Sequence, residues 1–499
     1  MISSIDHLAS FAGLTMLDRG GSAADAAIAA NAVLAVTSPH MCGLGGDLFA
    51  LVHSAQGAPE ALNASGRAGS GADPARLRAE GHDRMPFQGD IRTVPVPGCV
   101  DGLLALHERH GRLPLADLLA PAIGHARDGF PASPLLAPVA SALPEVDAPL
   151  APGDPIRRPG VARALEAIAK DGRTGFYLGE FGAGLLKLGA GEYTEADLTR
   201  VHADWTRPLQ IRAFGHDVWT IPPNSQGYLL LLSLAIVSGL DLPTDPGDPQ
   251  WAHLLAEAAR AAGHDRPDVL YEGADVTEVL ASASARRASI DPARRADRRD
   301  LTSSGDTTYL CAVDADGMGV SLIQSNAAGF GSLLFEPNTG INLHNRGFGF
   351  SLTPGHPAEY APGRRPPHTL APAVVTRPDG TLRTVVGAMG GDGQPQILLQ
   401  ILTRLLHHGE SPGRSISAPR WCVGAGESGF ATWHPTTPAT LEIETGAPWS
   451  TGLRMRGHTV LTRPYGGDFG HAALIDIRPN GTLAGAGDPR ALTGATIGH

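Results

Sequence analysis

Residues 307–326 read TTYLCAVDADGMGVSLIQSN. Two alternating apolar runs flank an Asp-Gly pair, and that combination specifies a β-hairpin more firmly than anything else in the chain. A two-residue turn at Asp316-Gly317 sets Ala315 opposite Met318 and position 307 opposite 326; a turn one residue earlier sets 307 opposite 324. Either register brings Thr307 beside the Gln324-Ser325-Asn326 segment, so hydroxyls and amides gather at one sheet edge. Hairpin stability does not require them there. Ser325 and Asn326 can simply end a strand, or they can belong to a reactive site. The residues just before, SSGD, pose the same choice. They are either a loop feeding the hairpin or a self-cleavage junction that frees Thr307 as a new N-terminus.

A threonine at a chain N-terminus has a chemical advantage. Its α-amine titrates at about 7.7–8.0, so near neutral pH it can take the proton of its own hydroxyl. No histidine–carboxylate pair is then needed, and the sequence offers neither a triad order nor a Gly-X-Ser-X-Gly elbow. Acyl chemistry also needs donors for an oxyanion. In VVGAMGGDGQPQ a strand runs into Gly390-Gly391 and then a helix near 394–405, a place where backbone N–H groups can face a tetrahedral intermediate. A glycine turn before a helix also occurs without any such role.

Around this block the chain divides coarsely. Two Ala-rich helices are expected near 6–18 and 22–36, the second capped by Ser22, followed by a glycine loop (HMCGLGGD) that feeds a strand. ALNASGR reads as a second strand; 100–130 and 160–200 read as helical, with a Pro-rich connection at 133–160. TIPPNSQG precedes a buried apolar helix. The Arg- and Ser-rich stretch 274–303 reads as a flexible connection, and beyond it strands dominate, followed by the covering helix QILLQILTRLL. The 42% hydrophobic content suits a large core, and a net charge of −11 argues against nucleic-acid or acidic-membrane partners. With only Lys170 and Lys187 as lysines, Schiff-base chemistry is disfavoured. Cys42, Cys99, Cys311 and Cys422 lack metal or redox spacing and read as buried thiols. His407-His408 read as a helix end rather than a metal site. The N-terminus reads as a helix ending at Gly20-Gly21, not a signal peptide, and no apolar run reaches the roughly 18 residues of a membrane span. The expectation is a cytoplasmic protein with no metal or cofactor and a small-molecule substrate. Homo-oligomerisation is left open.

Taken in order, GGSAADAAIAANAVLAVTSPHMCGLGGDLF, DTTYLCAVDADGMGVSLIQSN, FGSLLFEPNTGINLHNRG, GAMGGDGQPQ and AGAGDPR resemble the γ-glutamyltranspeptidase family of N-terminal-nucleophile hydrolases along nearly the whole chain. The resemblance implies an α/β fold of α+β type, a four-layer αββα sandwich. It implies autocleavage between Asp306 and Thr307 into fragments 1–306 (the α-rich part) and 307–499, which stay associated as one structural domain. Thr307 would be the nucleophile, Ser325 the hydroxyl supporting it, and Gly390 and Gly391 the oxyanion donors. Arg67 would pair with a substrate carboxylate, with His368 and Thr369 in the place of a serine pair nearby.

The chain also departs from the family pattern. Gly349 stands where transpeptidases hold the substrate ammonium with an acid, Arg346 replaces a neighbouring amide, and Ala327 replaces an asparagine. An ammonium without partners in a closed pocket is costly. The pattern therefore resembles the acylase-like branch. It implies an amide hydrolase or acyltransferase for a carboxylate-bearing acyl group bound by Arg67 and Arg346. The alternatives are a carbon–carbon hydrolase of the kind thought to act on an alkylproline antibiotic precursor, and a noncatalytic family member.

Overall fold

The computed structural model describes residues 1–55, 57–297, 306–424, 440–466 and 469–499, with Asp306 described by its backbone alone. Two antiparallel sheets organise the chain. The first has seven strands in the order Ala495–Ile497, Ile2–Ser4, Asp306–Val313, Gly319–Ala327, Asp47–His53, Glu60–Ala64 and Asp204–Thr206. The second has six, in the order Leu483–Gly487, Ala472–Ile477, Leu382–Ala388, Ala373–Thr376, His216–Thr220 and Leu209–Ala213.

The period-two alternation of these strands explains the layering. In the first sheet Leu48, Ala50, Leu310, Ala312, Val320 and Leu322 face a helical layer, which includes His7–Asp18 and Ala23–Thr37. Their neighbours Phe49, Leu51, Tyr309, Cys311, Val313 and Ile323 face the second sheet. That sheet answers with Val374, Val385, Ala473 and Ile475. Its other face, carrying Val375, Val386, Ala388 and Leu474, packs on the helices Tyr228–Val237, Pro249–Gly263 and Gln394–Leu402. The result is the expected four-layer αββα sandwich. Both parts of the chain build both sheets. Residues 1–306 supply strands as well as helices, and Ile2–Ser4 lies between two strands from beyond residue 305.

Local signals hold in detail. The helix Ala23–Thr37 is buried along its whole length. Small side chains permit that close packing, and a reciprocal capping box between Ser22 and Asp25 starts the helix, a feature worth about 1 kcal/mol. The 100–130 and 160–200 stretches are helical in pieces: Cys99–His110, Leu115–Asp128, Pro159–Tyr177, Glu180–Leu188 and Glu195–Thr199. No helix among the described residues is long and apolar enough to cross a membrane.

Two expectations need correction. The hairpin uses neither anticipated register. Asp314 N–H donates to the Met318 carbonyl (3.0 Å), leaving a three-residue loop in which Gly317 takes φ +84°. Asp314 Oδ1 accepts from the N–H groups of Asp316 (3.0 Å) and Met318 (2.9 Å) and so fixes the longer turn. The other correction concerns 274–297, which is not a loose connection. Arg286 pairs with Asp265 (2.6 Å), Arg287 donates to the carbonyls of Ala235 and Ile236, and Ala296 N–H donates to buried Glu257 (3.0 Å). Arg286 and Arg287 thus donate to carbonyls at the ends of neighbouring helices. The rest of the expected connection, 298–303, lies outside the described residues.

Candidate active site

The corrected register sets Leu322 opposite Leu310 and Gln324 opposite Thr308, then shifts at a bulge so that Ala327 opposes Asp306. Thr307 therefore lies beside Ser325. Its Oγ1 donates to Ser325 Oγ at 3.2 Å, with both residues buried. Ser325 Oγ also accepts from Ala327 N–H (2.8 Å), and Ala327 has φ +77°. The bulge is thus what lets one serine hydroxyl hold both the nucleophile candidate and the backbone beyond it. Asp47 lies opposite Ser325 on the other side. Directly opposed residues share a face, so Thr307, Ser325 and Asp47 form a row on the face that looks toward the second sheet.

Gly390 and Gly391 follow the second-sheet strand Leu382–Ala388. They take φ +133° and +51°, conformations that favour glycine. Neither N–H has a backbone acceptor among the described residues, so both are available as donors. Gln226 braces this turn: its Nε2 donates to the carbonyls of Gly391 (3.0 Å) and Thr369 (2.9 Å). Asp392, next in the chain, is buried against Arg266 at 2.6 Å.

Asp47 is the polar hub of the site. Its Oδ1 accepts from Gly66 N–H (2.7 Å), its Oδ2 from His368 Nε2 (3.0 Å), and His344 Nδ1 lies 3.4 Å from the same Oδ2. Burial alone would raise the Asp47 carboxyl, but His344 beside it and the hydrogen bond from His368 outweigh burial and hold the group well below the usual carboxylate range. His368 is neutral beside it. Burial, reinforced by the Arg346 charge, pushes His368 down to about 3. The hydrogen bonds agree, because His368 Nδ1 accepts from Leu370 N–H (3.3 Å) and is not free to carry a proton.

The two arginines differ sharply. Arg67 is engaged: Nη1 donates to Glu272 (2.5 Å) and to the Gly363 carbonyl (3.0 Å), and Nη2 lies 3.3 Å from Asp204. Arg346 is 2% exposed, and its guanidinium makes no ion pair or hydrogen bond with the described residues; Nη2 is sealed from solvent. Its Cζ lies 5.8 Å from the Phe348 ring centroid, a loose cation–π contact. Burial pushes Arg346 down to about 10, with Asp47 and Asp392 opposing that shift. A buried cation without a paired anion costs several kcal/mol. The Thr369 hydroxyl is likewise buried and without a partner among the described residues.

Thr307, Ser325, His368, Arg346 and the Gly390-Gly391 turn are thus linked through Asp47, Gln226 and Asp392, while Arg67 belongs to a separate ion-pair network. Of the anticipated cleavage junction, 298–305 lie outside the described residues. Sequence reasoning missed Asp47, Gln226, His344 and Asp392. For Asp47 a signal was present: the alternation Asp47, Phe49, Leu51 places it on the inter-sheet face. It also missed His40 and His471, whose four ring nitrogens are buried without partners among the described residues. Burial holds His40 near 3 and His471 near 4, so both rings are neutral. His471 precedes Ala472, which pairs with Ala388 just before the glycine turn. Among the described residues one cluster has metal-ligating geometry, His253, Glu257 and His458. Arg260 occupies its carboxylate (2.5 Å), and the two rings hydrogen-bond each other at 2.8 Å.

Comparison with known proteins gives concordant matches. The family described as Gamma-glutamyltranspeptidase matches residues 9–497. The chain is 36% identical to the glutathione hydrolase-like YwrD proenzyme of Bacillus subtilis, covering 100% of this chain and 98% of that protein. It is 37% identical to the oxamate amidohydrolase proenzyme of Klebsiella pneumoniae, covering 99% and 97%. Among solved structures, cephalosporin acylase from Bacillus halodurans superposes with a TM-score of 0.89 at 32% identity, covering 100% of this chain and 96% of that one.

Proposed function

The chain belongs to the γ-glutamyltranspeptidase family, and from that premise we propose that it is an autoprocessed amide hydrolase whose nucleophile is Thr307. In the precursor the Thr307 hydroxyl attacks the Asp306 carbonyl carbon, the peptide C–N bond breaks, and the acyl group passes to oxygen. One water hydrolyses that ester, leaving fragments 1–306 and 307–499 and a free α-amine on Thr307. Strand pairing of Ile2–Ser4 with 306–313 and 495–497 keeps the fragments together.

In turnover the α-amine accepts the hydroxyl proton as Oγ1 attacks the substrate amide carbonyl. The N–H groups of Gly390 and Gly391 stabilise the oxyanion. The departing amine takes the proton, and water or another amine then attacks the acyl-threonine ester, taking the acyl group as the C–Oγ1 bond breaks and its proton returns to Thr307 Oγ1 through the α-amine. The observation that carries this reading is the buried Thr307–Ser325 hydroxyl pair at 3.2 Å, at the head of the strand Asp306–Val313.

The acyl group carries a carboxylate and no ammonium. Residues 346–349 read Arg-Gly-Phe-Gly and offer a cation instead of an acid. The relative named for oxamate supports this reading, since oxamate carries a carboxylate beside its amide. The test compares glutaryl and γ-glutamyl amides of one amine and follows acylation of fragment 307–499 by intact mass. The glutaryl donor is expected to acylate Thr307 at least as fast. A strong preference for the γ-glutamyl donor would return the protein to ordinary transpeptidase chemistry.

A further inference from the structure

We propose that Arg346, with the Thr369 hydroxyl, is the receptor for the substrate carboxylate, and that it selects short dicarboxylic half-amides, whose carboxylate lies close along the chain to the scissile carbonyl. This rests on the reading of Thr307 as nucleophile and names the substrate class of the same site.

Placement carries the argument. Arg346 directly follows Asn345, whose N–H donates to the Asn326 carbonyl (3.2 Å) and whose Oδ1 accepts from Ala328 N–H (3.1 Å). Asn326 adjoins Ser325, so the arginine is tied to the strand end that carries the hydroxyl pair. Its charge is felt by Asp47, by His368 and by Asp392, which adjoins the Gly390-Gly391 turn. Arg346 is thus tied through Asn345 to the strand that carries the hydroxyl pair, and its charge reaches the residue that follows the glycine turn. Neither nearby carboxylate closes on it: Asp47 is bonded by Gly66 and His368, and Asp392 by Arg266. A planar fork with open donors suits a carboxylate, and Thr369, next to His368, adds a buried hydroxyl that also lacks a partner. Arg67 is unsuited to the task because Glu272, Gly363 and Asp204 already occupy its Nη groups.

The test separates binding from chemistry. Oxalate, malonate, succinate and glutarate are titrated calorimetrically into processed wild-type protein, Arg346→Met, Arg346→Lys, and Arg67→Gln combined with Glu272→Gln so that no charge is orphaned. The shorter diacids are expected to bind wild type more tightly than glutarate does. Binding should fall by about ten- to hundredfold in Arg346→Met, recover in part with lysine, and change by less than about twofold in the Arg67/Glu272 pair. Ligand-free Arg346→Met should melt no lower than wild type, because it loses a buried unpaired cation; this excludes misfolding as the cause of lost binding. Diacid binding that survives Arg346→Met but is lost in the Arg67/Glu272 variant overturns the proposal, as does a preference for glutarate or no diacid binding to any variant. Failure of Thr307 to acylate, with Arg346-dependent diacid binding intact, would count against the nucleophile alone.

Discussion

Replacing Ser325 with alanine removes one oxygen that serves two donors. Ser325 Oγ accepts from Thr307 Oγ1 at 3.2 Å and from Ala327 N–H at 2.8 Å, at a residue that is 1% exposed. The Ala327 N–H belongs to a residue at φ +77° beside the bulge. Leaving a buried donor unpaired costs about 1–3 kcal/mol, and the lost hydroxyl bond adds about 1 kcal/mol. Ser325→Ala should therefore lower stability by about 2–4 kcal/mol. The catalytic effect is separate. Without the Ser325 hydroxyl Thr307 loses one of the contacts that orient it, and misorientation of this kind should cost about ten- to hundredfold in kcat, about 1.4–2.7 kcal/mol of barrier. KM should move little, because Ser325 holds the nucleophile rather than the acyl group. Ser325→Thr keeps the hydroxyl and should recover most of the loss. The assay is steady-state release of amine from a glutaryl anilide by the processed enzyme, alongside the rate of precursor cleavage and a urea melt. A processed Ser325→Ala enzyme with kcat within about twofold of wild type would refute the reasoning, as would a threonine variant no better than alanine.

Asp47→Asn tests the polar hub through pH. The folded Asp47 carboxyl lies below its unfolded value, so its contribution is present above about pH 4 and is lost as pH falls through the folded pKa. The melting-temperature gap between wild type and Asp47→Asn should be widest near neutrality and shrink in acid; a gap that widens in acid contradicts the assignment. Gly66→Ala would drive its new methyl into the Val96 carbonyl and pull the Gly66 N–H from Asp47. It should destabilise by about 2–4 kcal/mol and slow turnover as well, whereas a clash without consequence would cost stability alone.

Much of this fold is written in local patterns. Alternation in TTYLCAV and GVSLIQSN specified the hairpin, and Ser22 with Asp25 specified the start of a buried helix. The register went wrong by one residue, because Asp-Gly serves both two- and three-residue loops and the choice rested on Asp314 bonding forward to Asp316 and Met318. The site was legible where its residues carry their own signature: a threonine after a turn, a glycine pair after a strand. It was not legible where a role depends on distant partners. Arg67 looked available because Glu272 and Asp204 are 205 and 137 residues away in the chain. Arg346 looked secondary because only the folded surroundings reveal that none of the described residues pairs with it. Asp47 gathers Gly66, His368 and Ser325 from three segments, and no spacing rule anticipates that meeting. The flexible reading of 274–297 failed for the same reason, since its arginines bond to helices folded from earlier sequence.

The central claim is that Thr307 becomes an N-terminus and acts as the nucleophile. Intact mass of freshly purified, active protein, followed by N-terminal sequencing of the smaller species, tests it most directly. The account predicts two fragments that co-purify, corresponding to 1–306 and 307–499, with the smaller beginning Thr-Thr-Tyr-Leu. Thr307→Ala should remain a single inactive chain. A fully active, uncut chain of 499 residues would contradict the account, because an internal Thr307 has no α-amine to take its hydroxyl proton.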